Sequence, residues 1–248
     1  MKLALISDIH SNWPAFEACL AHARARGAGQ FALLGDFVGY GAEPGAVVDE
    51  VMRLAAAGAW VVRGNHDEMA VQGRPEGDTL GSQTAAWTHA QLSRAQRDFL
   101  AGLPLTLPQP PLFLVHASAA QPEKWRYVDS ERAATACMAA APPEAPQVLV
   151  GHVHQQALYY QGRGRDLMKF SPSPGVPVPL PRGRALVACV GSCGQPRDGD
   201  PRAMYALYDG ATSQITFHRV PYNHVAAAAA IRAAGLPALF ADRLEAGR

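Results

Sequence analysis

The sequence predicts an α/β fold in a single domain, and three observations carry that prediction. The first 65 residues alternate short apolar runs with amphipathic stretches, two further apolar runs in the middle end in histidine, and the last third holds more short apolar runs between turn residues. With 248 residues, 48% hydrophobic and 17% charged, the chain can bury a substantial core and is too apolar for a disordered polyelectrolyte. No linker-like stretch divides it, so one domain over residues 1–248 is expected.

Residues 2–6 form an apolar run that stops abruptly at Ser7-Asp8, as a buried parallel strand does. A helix fits 13–26: Asn12 or Ser11 can cap it, Pro14 suits its first turn, Phe16, Leu20 and Ala23 share a face, and Gly27 stops it. Residues 30–34 read as a second strand. Pro44 opens a second helix with a stripe of Val47, Val48, Val51, Leu54 and Ala55 that ends at Gly58. Residues 59–62 give a third strand. Such a β-α-β-α-β order implies right-handed crossovers and a parallel sheet flanked by helices, with sites at the carboxyl ends of its strands.

Helices are expected over 82–92 and 93–103, the latter with Ser93 as cap, followed by a proline-rich connector at 104–111. Apolar runs at 112–115 and 148–150 flank a helix around 129–140 that Pro142-Pro143 terminates. Residues 170–182 read as a Pro/Ser-rich loop, and 185–190, 203–208 and 214–220 as strands of a mostly antiparallel second sheet. The alanine-rich 226–234 segment is a strong helix former closed by Gly235.

Charge and targeting signals narrow the function classes. Lys and Arg number 22 against 21 Asp and Glu, a net charge of +1, and no basic run occurs. Partners of high negative charge density, such as long nucleic acid or an anionic membrane, are therefore not expected. The N-terminal apolar run is too short for a signal peptide and no 18-residue apolar stretch occurs, so the expected location is cytoplasmic. Cys19, Cys137, Cys189 and Cys193 lack CxxC spacing and read as buried free thiols. Nine histidines stand out in this inventory, because imidazole is a common metal ligand and titrates near neutrality.

Five apolar runs end in metal-ligand residue types. Asp8-Ile9-His10 follows the first, Gly35-Asp36 the second and Gly64-Asn65-His66-Asp67 the third; His116 and Gly151-His152-Val153-His154 follow the later two. In extended backbone, positions i and i+2 project to one side, so Asp8 with His10 and His152 with His154 can each face one cluster. The glycines at 35, 64 and 151 would let the backbone turn sharply before each ligand. Each piece alone has a plain alternative: a helix cap, an ordinary strand-to-loop junction, a turn, or an exposed histidine pair. Their joint placement after apolar runs favours a mixed carboxylate, amide and imidazole site for a divalent metal.

In this order the motifs D-x-H, G-D, G-N-H-D, a lone H after a strand and G-H-x-H resemble those of the calcineurin-like metallophosphoesterases over residues 8–154. Residues 35–41, Gly-Asp-Phe-Val-Gly-Tyr-Gly, and the loop 191–200 are similar to the small bacterial and archaeal phosphodiesterase branch. The resemblance implies a two-sheet αββα sandwich and a phosphoesterase that hydrolyses diesters, with monoesters as a further class, by a hydroxide activated at a dinuclear metal site. Asp8, His10, Asp36 and His154 would hold one divalent ion, and Asp36, Asn65, His116 and His152 the other, with Asp36 bridging. The ions implied are Mn, Fe, Ni, Zn or Mg. His66 would protonate the leaving oxygen or stabilise the phosphoryl charge, Asp67 would orient it, and Arg197 is a candidate contact to a small phosphate-ester substrate. An alternative for Arg197 is a surface turn with Asp198 or Asp200 as its partner.

Two departures accompany the match: Ala117-Ser118 follows His116 where glycine is common, and Cys189-Val190 precede Gly191 where Asn-Pro is expected. Ser/Thr protein phosphatases and dinucleoside polyphosphatases are the competing enzymes, but their Arg-Gly after Gly-Asp is replaced here by Gly39-Tyr40-Gly41. A non-catalytic scaffold would have lost ligands, and all are present. The motifs specify no oligomeric state.

Overall fold

In the first strand, β1 (Lys2–Ile6), alternate side chains enter two different cores, and this period of two defines the layers. Leu3 and Leu5 face a second sheet, while Ala4 and Ile6 face helices. The fold comes from a computed structural model that describes residues 1–73, 80–162 and 166–248.

After β1 come α1 (Trp13–Ala25), β2 (Gln30–Leu33), α2 (Pro44–Ala56) and β3 (Trp60–Val61), with the three strands parallel as predicted. Asn12 caps α1, accepting a hydrogen bond from the Ala15 N–H at 3.2 Å, and Pro44 occupies the first turn of α2. Next are α3 (Asn65–Gln72), α4 (Leu80–Gln91), α5 (Arg94–Gly102), β4 (Thr106–Gln109) and β5 (Leu112–Val115). Ser93 and Gln96 form a reciprocal capping box at the start of α5. Then follow α6 (Glu131–Ala140), β6 (Gln147–Val150), β7 (Gln156–Gln161), β8 (Leu167–Phe170), β9 (Pro177–Pro179), β10 (Leu186–Val190), β11 (Ala203–Asp209) and β12 (Gln214–Val220). The chain closes with α7 (His224–Ala233) and α8 (Ala238–Ala246).

The strands make two sheets, ordered β3-β2-β1-β11-β12-β9 and β4-β5-β6-β10-β7-β8. Leu3, Leu5, Leu112, Leu114, Leu149, Leu186 and Phe217 fill the layer between them. Phe16, Leu20, Val47 and Val51 cover the outer face of the first sheet, and Ala134 and Cys137 of α6 cover Val148, Val150 and Val187 of the second. The result is an αββα sandwich in a single α/β domain.

The structure corrects the predicted sheet membership. β11 joins the first sheet antiparallel to β1, with β12 antiparallel to β11, whereas β10 joins the second and runs parallel to β6. Sequence pattern marks a strand but not its neighbour, and the Tyr208 and Leu207 faces of β11 fit either side of a sandwich. The 104–111 connector contains β4, and the 170–182 loop contains β9, whose Val178, with Leu180 just after it, closes the edge of the inter-sheet layer. The four cysteines are buried and free. Among the described residues, no helix is long and apolar enough to cross a membrane.

Candidate metal centre

Parallel pairing within each sheet sends the ends of β1, β2, β3, β5 and β6 to one rim, where backbone bonds tie the turns that follow neighbouring strands. Asp8 N–H donates to Gly35 O at 3.0 Å, His10 N–H to Asp36 O at 3.0 Å, and Gly151 N–H to His116 O at 2.9 Å. The loop after β10 joins them, with Cys193 N–H on Ser7 O and Gly194 N–H on Asp8 O, each at 2.9 Å.

At this rim the chain is not extended. Asp8, His10, Asp36, His152 and His154 have φ of 52°, 50°, 53°, 65° and 62°. Non-glycine residues in that region cost roughly 1–3 kcal/mol each and concentrate at functional sites. The i, i+2 pairs thus converge through left-handed turns rather than through a strand's alternation. Of the three glycines, only Gly35 needs a positive φ, +86°. At Gly64 a Cβ would strike the Asp36 carboxylate, and at Gly151 it would strike Ser7 and Asp8, so close approach is their role.

The side chains gather as two clusters sharing Asp36. His10 Nε2 is 3.1 Å from His154 Nε2, which is 3.2 Å from Asp8 Oδ1. Asp36 Oδ2 is 3.2 Å from His116 Nε2 and 3.8 Å from His10 Nε2. His116 Nε2 also lies 3.2 Å from Asn65 Oδ1 and 3.2 Å from His152 Nδ1. All of these except Asn65 are almost wholly buried.

Backbone carbonyls fix the tautomers, because a ring nitrogen facing a carbonyl oxygen must carry hydrogen. His10 Nδ1 donates to Val38 O at 3.1 Å, His154 Nδ1 to Gln195 O at 2.6 Å, His116 Nδ1 to Leu34 O at 2.7 Å and His152 Nε2 to Trp125 O at 2.9 Å. In the neutral rings, therefore, every nitrogen facing the clusters presents a lone pair toward another acceptor. Asp8 Oδ1, also buried, accepts no hydrogen bond. With its rings neutral this is a convergent set of acceptors that fits cations, one beside Asp8, His10 and His154 and another beside Asp36, His116 and His152.

Protonation follows the same logic. Burial alone would raise Asp8 and Asp36, yet His154 holds the Asp8 carboxyl, and His116 the Asp36 carboxyl, far below the ordinary range. Burial lowers His10 strongly and takes His152 to about 4, the latter helped by His116. Burial acts against charge at His116 too, but the Asp36 carboxylate beside it wins and pushes it up to about 9. Without metal, a proton on His116 is the cation that Asp36 finds.

His66 donates its backbone N–H to Asp36 Oδ1 at 2.8 Å, and its ring lies 4.4 Å from Tyr40 and 4.9 Å from His10. A Cβ at Gly39 would approach its Nδ1 to 2.5 Å and one at Gly81 its Cε1 to 2.7 Å, so these glycines make room for the ring. The Asp67 carboxylate is taken up by backbone donors. Its Oδ2 accepts from Asp36 N–H and Gly64 N–H, both at 2.9 Å, and its Oδ1 from Phe37 N–H at 2.8 Å and Val38 N–H at 3.3 Å. The carboxylate ties the turn after β2 to the start of α3, a role that residue order next to His66 does not reveal. Arg197 sits with its guanidinium carbon 5.7 Å from the centroid of the Tyr40 ring, while Asp198 and Asp200 pair with Arg219 and Arg202 instead.

Three aromatic residues were not singled out in sequence. Tyr40 contacts His10 and His66; Trp125 supplies the carbonyl that aligns His152; Tyr127, half exposed, stacks on the His152 ring at 4.1 Å and 16°. Tyr40 lies inside the Gly39-Tyr40-Gly41 signature that could have flagged it, whereas nothing local marks the other two.

A sandwich of this kind, with a carboxylate between two imidazole clusters where parallel strands end, is the arrangement that the sequence resemblance implies for a phosphoesterase. Comparison with known proteins agrees. Residues 1–213 match the calcineurin-like phosphoesterase superfamily domain. The chain is 30% identical over 253 residues to an uncharacterized protein of Methanocaldococcus jannaschii, covering 99% of this chain and 98% of that protein. It superposes on a metallophosphoesterase from Sphaerobacter thermophilus with a TM-score of 0.87 at 32% identity, covering 100% of both chains. A hypothetical protein from Pyrococcus horikoshii shares the fold, with a TM-score of 0.79 at 22% identity over 100% of this chain and 98% of that one. The chain belongs to the calcineurin-like phosphoesterase superfamily and is a hydrolase acting on phosphoric ester bonds.

Proposed function

We propose that the protein hydrolyses phosphodiester bonds, with phosphomonoesters as a further class, in small cytoplasmic substrates, using two divalent cations. Asp8, His10, Asp36 and His154 hold the first, and Asp36, Asn65, His116 and His152 the second. The observation that carries this reading is the facing pair His10 Nε2 and His154 Nε2, two acceptors 3.1 Å apart with both Nδ1 atoms committed to carbonyls. Four imidazole nitrogens favour Mn, Fe, Ni or Zn over Mg, which prefers oxygen. When bound, such ions neutralise phosphoryl oxygens and lower the pKa of water toward about 7.

The remaining work falls to this chain's own groups. Burial takes the His66 imidazole down to about 4, so at pH 7 it is neutral and donates a hydrogen bond to the leaving oxygen. A phosphate anion entering beside it raises its basicity, which lets the ring carry the proton that an alkoxide requires. Arg197, whose guanidinium lies over Tyr40, would bind a phosphate oxygen of the substrate as a charged fork. The Asp67 carboxylate holds the turn that carries Asp36.

The test is an assay of metal-free protein reloaded with Mn²⁺ or Ni²⁺ on bis(p-nitrophenyl) phosphate, with metal content measured in parallel. Turnover that requires added metal supports the proposal, and protein holding two equivalents with no turnover of diesters or monoesters sinks it.

A further inference from the structure

The acids of the loop after β10 and of α8 are already paired, and two arginines of the same segments are left over. In the loop after β10, Asp198 pairs with Arg219 of β12, and Asp200 with Arg202 at 2.6 Å. On α8, Asp242 and Glu245 both pair with Arg232 of α7, each at 2.8 Å. Among the described residues Arg197 and Arg243 form no ion pair. The Arg197 guanidinium meets neutral groups, with Nη2 donating to Gln195 Oε1 at 2.8 Å, the Tyr40 ring centroid 5.7 Å from its central carbon, and Nε buried without a partner.

The fold brings Arg243 to the same place. α8 is anchored at one end by Phe240, whose ring is 4.8 Å from that of Tyr40, and at the other by Gly247, whose carbonyl accepts from Gly199 N–H at 2.8 Å. Arg243 lies between these anchors, half-buried, one turn after Phe240 and beside Leu244, which packs in the Tyr40 cluster. Burial and the nearby Arg197 charge both hold its pKa below the ordinary arginine value. Both groups also feel Tyr40, whose ring borders His10 and His66. Holding like charges together is unfavourable until an anion joins them.

We propose that Arg197 and Arg243 form a subsite for a second phosphoryl group of the substrate, next to the reacting one, so that α8 contributes to specificity. This rests on the phosphodiesterase reading above. The enzyme then prefers diesters bearing an extra phosphate over otherwise identical diesters without it.

Two measurements test it. With Mn²⁺-loaded enzyme, kcat/KM is compared for a 5′-phosphorylated dinucleotide and the same dinucleotide without that phosphate. The expected preference for the phosphorylated form falls about tenfold in Arg243→Gln, the loss of one charge-assisted contact, and is partly restored in Arg243→Lys. Because the readout is a ratio, a partly misfolded variant does not mimic the effect. No preference in the wild type, or an unchanged ratio in Arg243→Gln, overturns the subsite. Failure to turn over either dinucleotide strikes the diesterase reading instead, and the subsite is then decided by calorimetric binding of inorganic pyrophosphate to metal-free protein. Affinity about tenfold weaker in Arg243→Gln supports it, and equal or undetectable binding in both proteins overturns it.

Discussion

His10 Nε2 and His154 Nε2 face each other at 3.1 Å, and in the neutral rings neither can donate while Val38 O and Gln195 O hold the protons on the opposite nitrogens. Two buried lone pairs in contact are unfavourable, so the folded chain stores a cost that a cation removes. A divalent ion at about 100 times its dissociation constant adds about 2.7 kcal/mol of stability. For a chain of this size that corresponds to a rise in Tm of roughly 5–10 °C. Thermal unfolding of chelator-stripped protein with and without Mn²⁺ measures it. His10→Ala should remove most of the gain, and an equal gain in the variant would place the metal elsewhere.

Asp36 connects the two clusters, with Oδ2 toward His116 and His10 and Oδ1 held by the His66 N–H. Asp36→Asn preserves shape but removes the charge that two cations would share. Bound metal should fall from two equivalents to one or none, and activity by about 10³-fold or more, the scale of losing an electrostatic stabiliser. Elemental analysis alongside the rate checks it; two retained equivalents would show that Asp36 does not bridge.

Asp8, His10, Asp36, His116, His152 and His154 could be read from sequence because parallel strands of one sandwich end on one rim, and each of these residues follows such a strand. Their convergence needed no knowledge of the turns, even though those turns proved left-handed rather than extended. Side chains bound to backbone were harder. The partners of Asp67 are N–H groups of residues 36–38 and 64, which any sequence supplies, so no residue type advertises the contact. Tyr127 reaches His152 from a loop that follows a different strand, and β11 enters the first sheet by a long-range pairing that alternation does not encode.

The Asp67 network yields its own prediction. Asp67→Ala leaves four buried N–H donors without their acceptor, and such losses cost about 1–3 kcal/mol each before relaxation. A drop in unfolding free energy of about 3–5 kcal/mol is expected by urea titration. An orienting role for Asp67 would instead leave stability intact and reduce only the rate.

His66 divides the two functions of the site, since it lies beside the clusters while its ring contacts Tyr40 and space made by Gly39 and Gly81. His66→Ala should keep both metals yet slow hydrolysis by about 10²–10⁴, most for esters with poorly acidic leaving groups. A plot of log rate against leaving-group pKa should steepen in the variant. Parallel plots for variant and wild type would count against proton donation.

Away from the centre, His218 stacks on Tyr205 at 4.8 Å, and His22 bonds the Tyr205 hydroxyl at 2.7 Å. Burial, with His22 and Arg26 nearby, pushes His218 down to about 4, and its Nε2 has no hydrogen-bond partner. The sign follows directly: the unfolded chain, with an ordinary imidazole near 6.5, binds the proton more readily than the folded one. The neutral ring's contribution is therefore intact above about pH 6.5 and declines as pH falls toward 4, with a limiting slope of about 1.4 kcal/mol per pH unit. Urea midpoints of metal-free protein at pH 7.5 and 5 should differ less in His218→Phe than in the wild type. Phe keeps the stack on Tyr205 and cannot titrate, so an unchanged pH dependence would assign the acid sensitivity to groups other than His218.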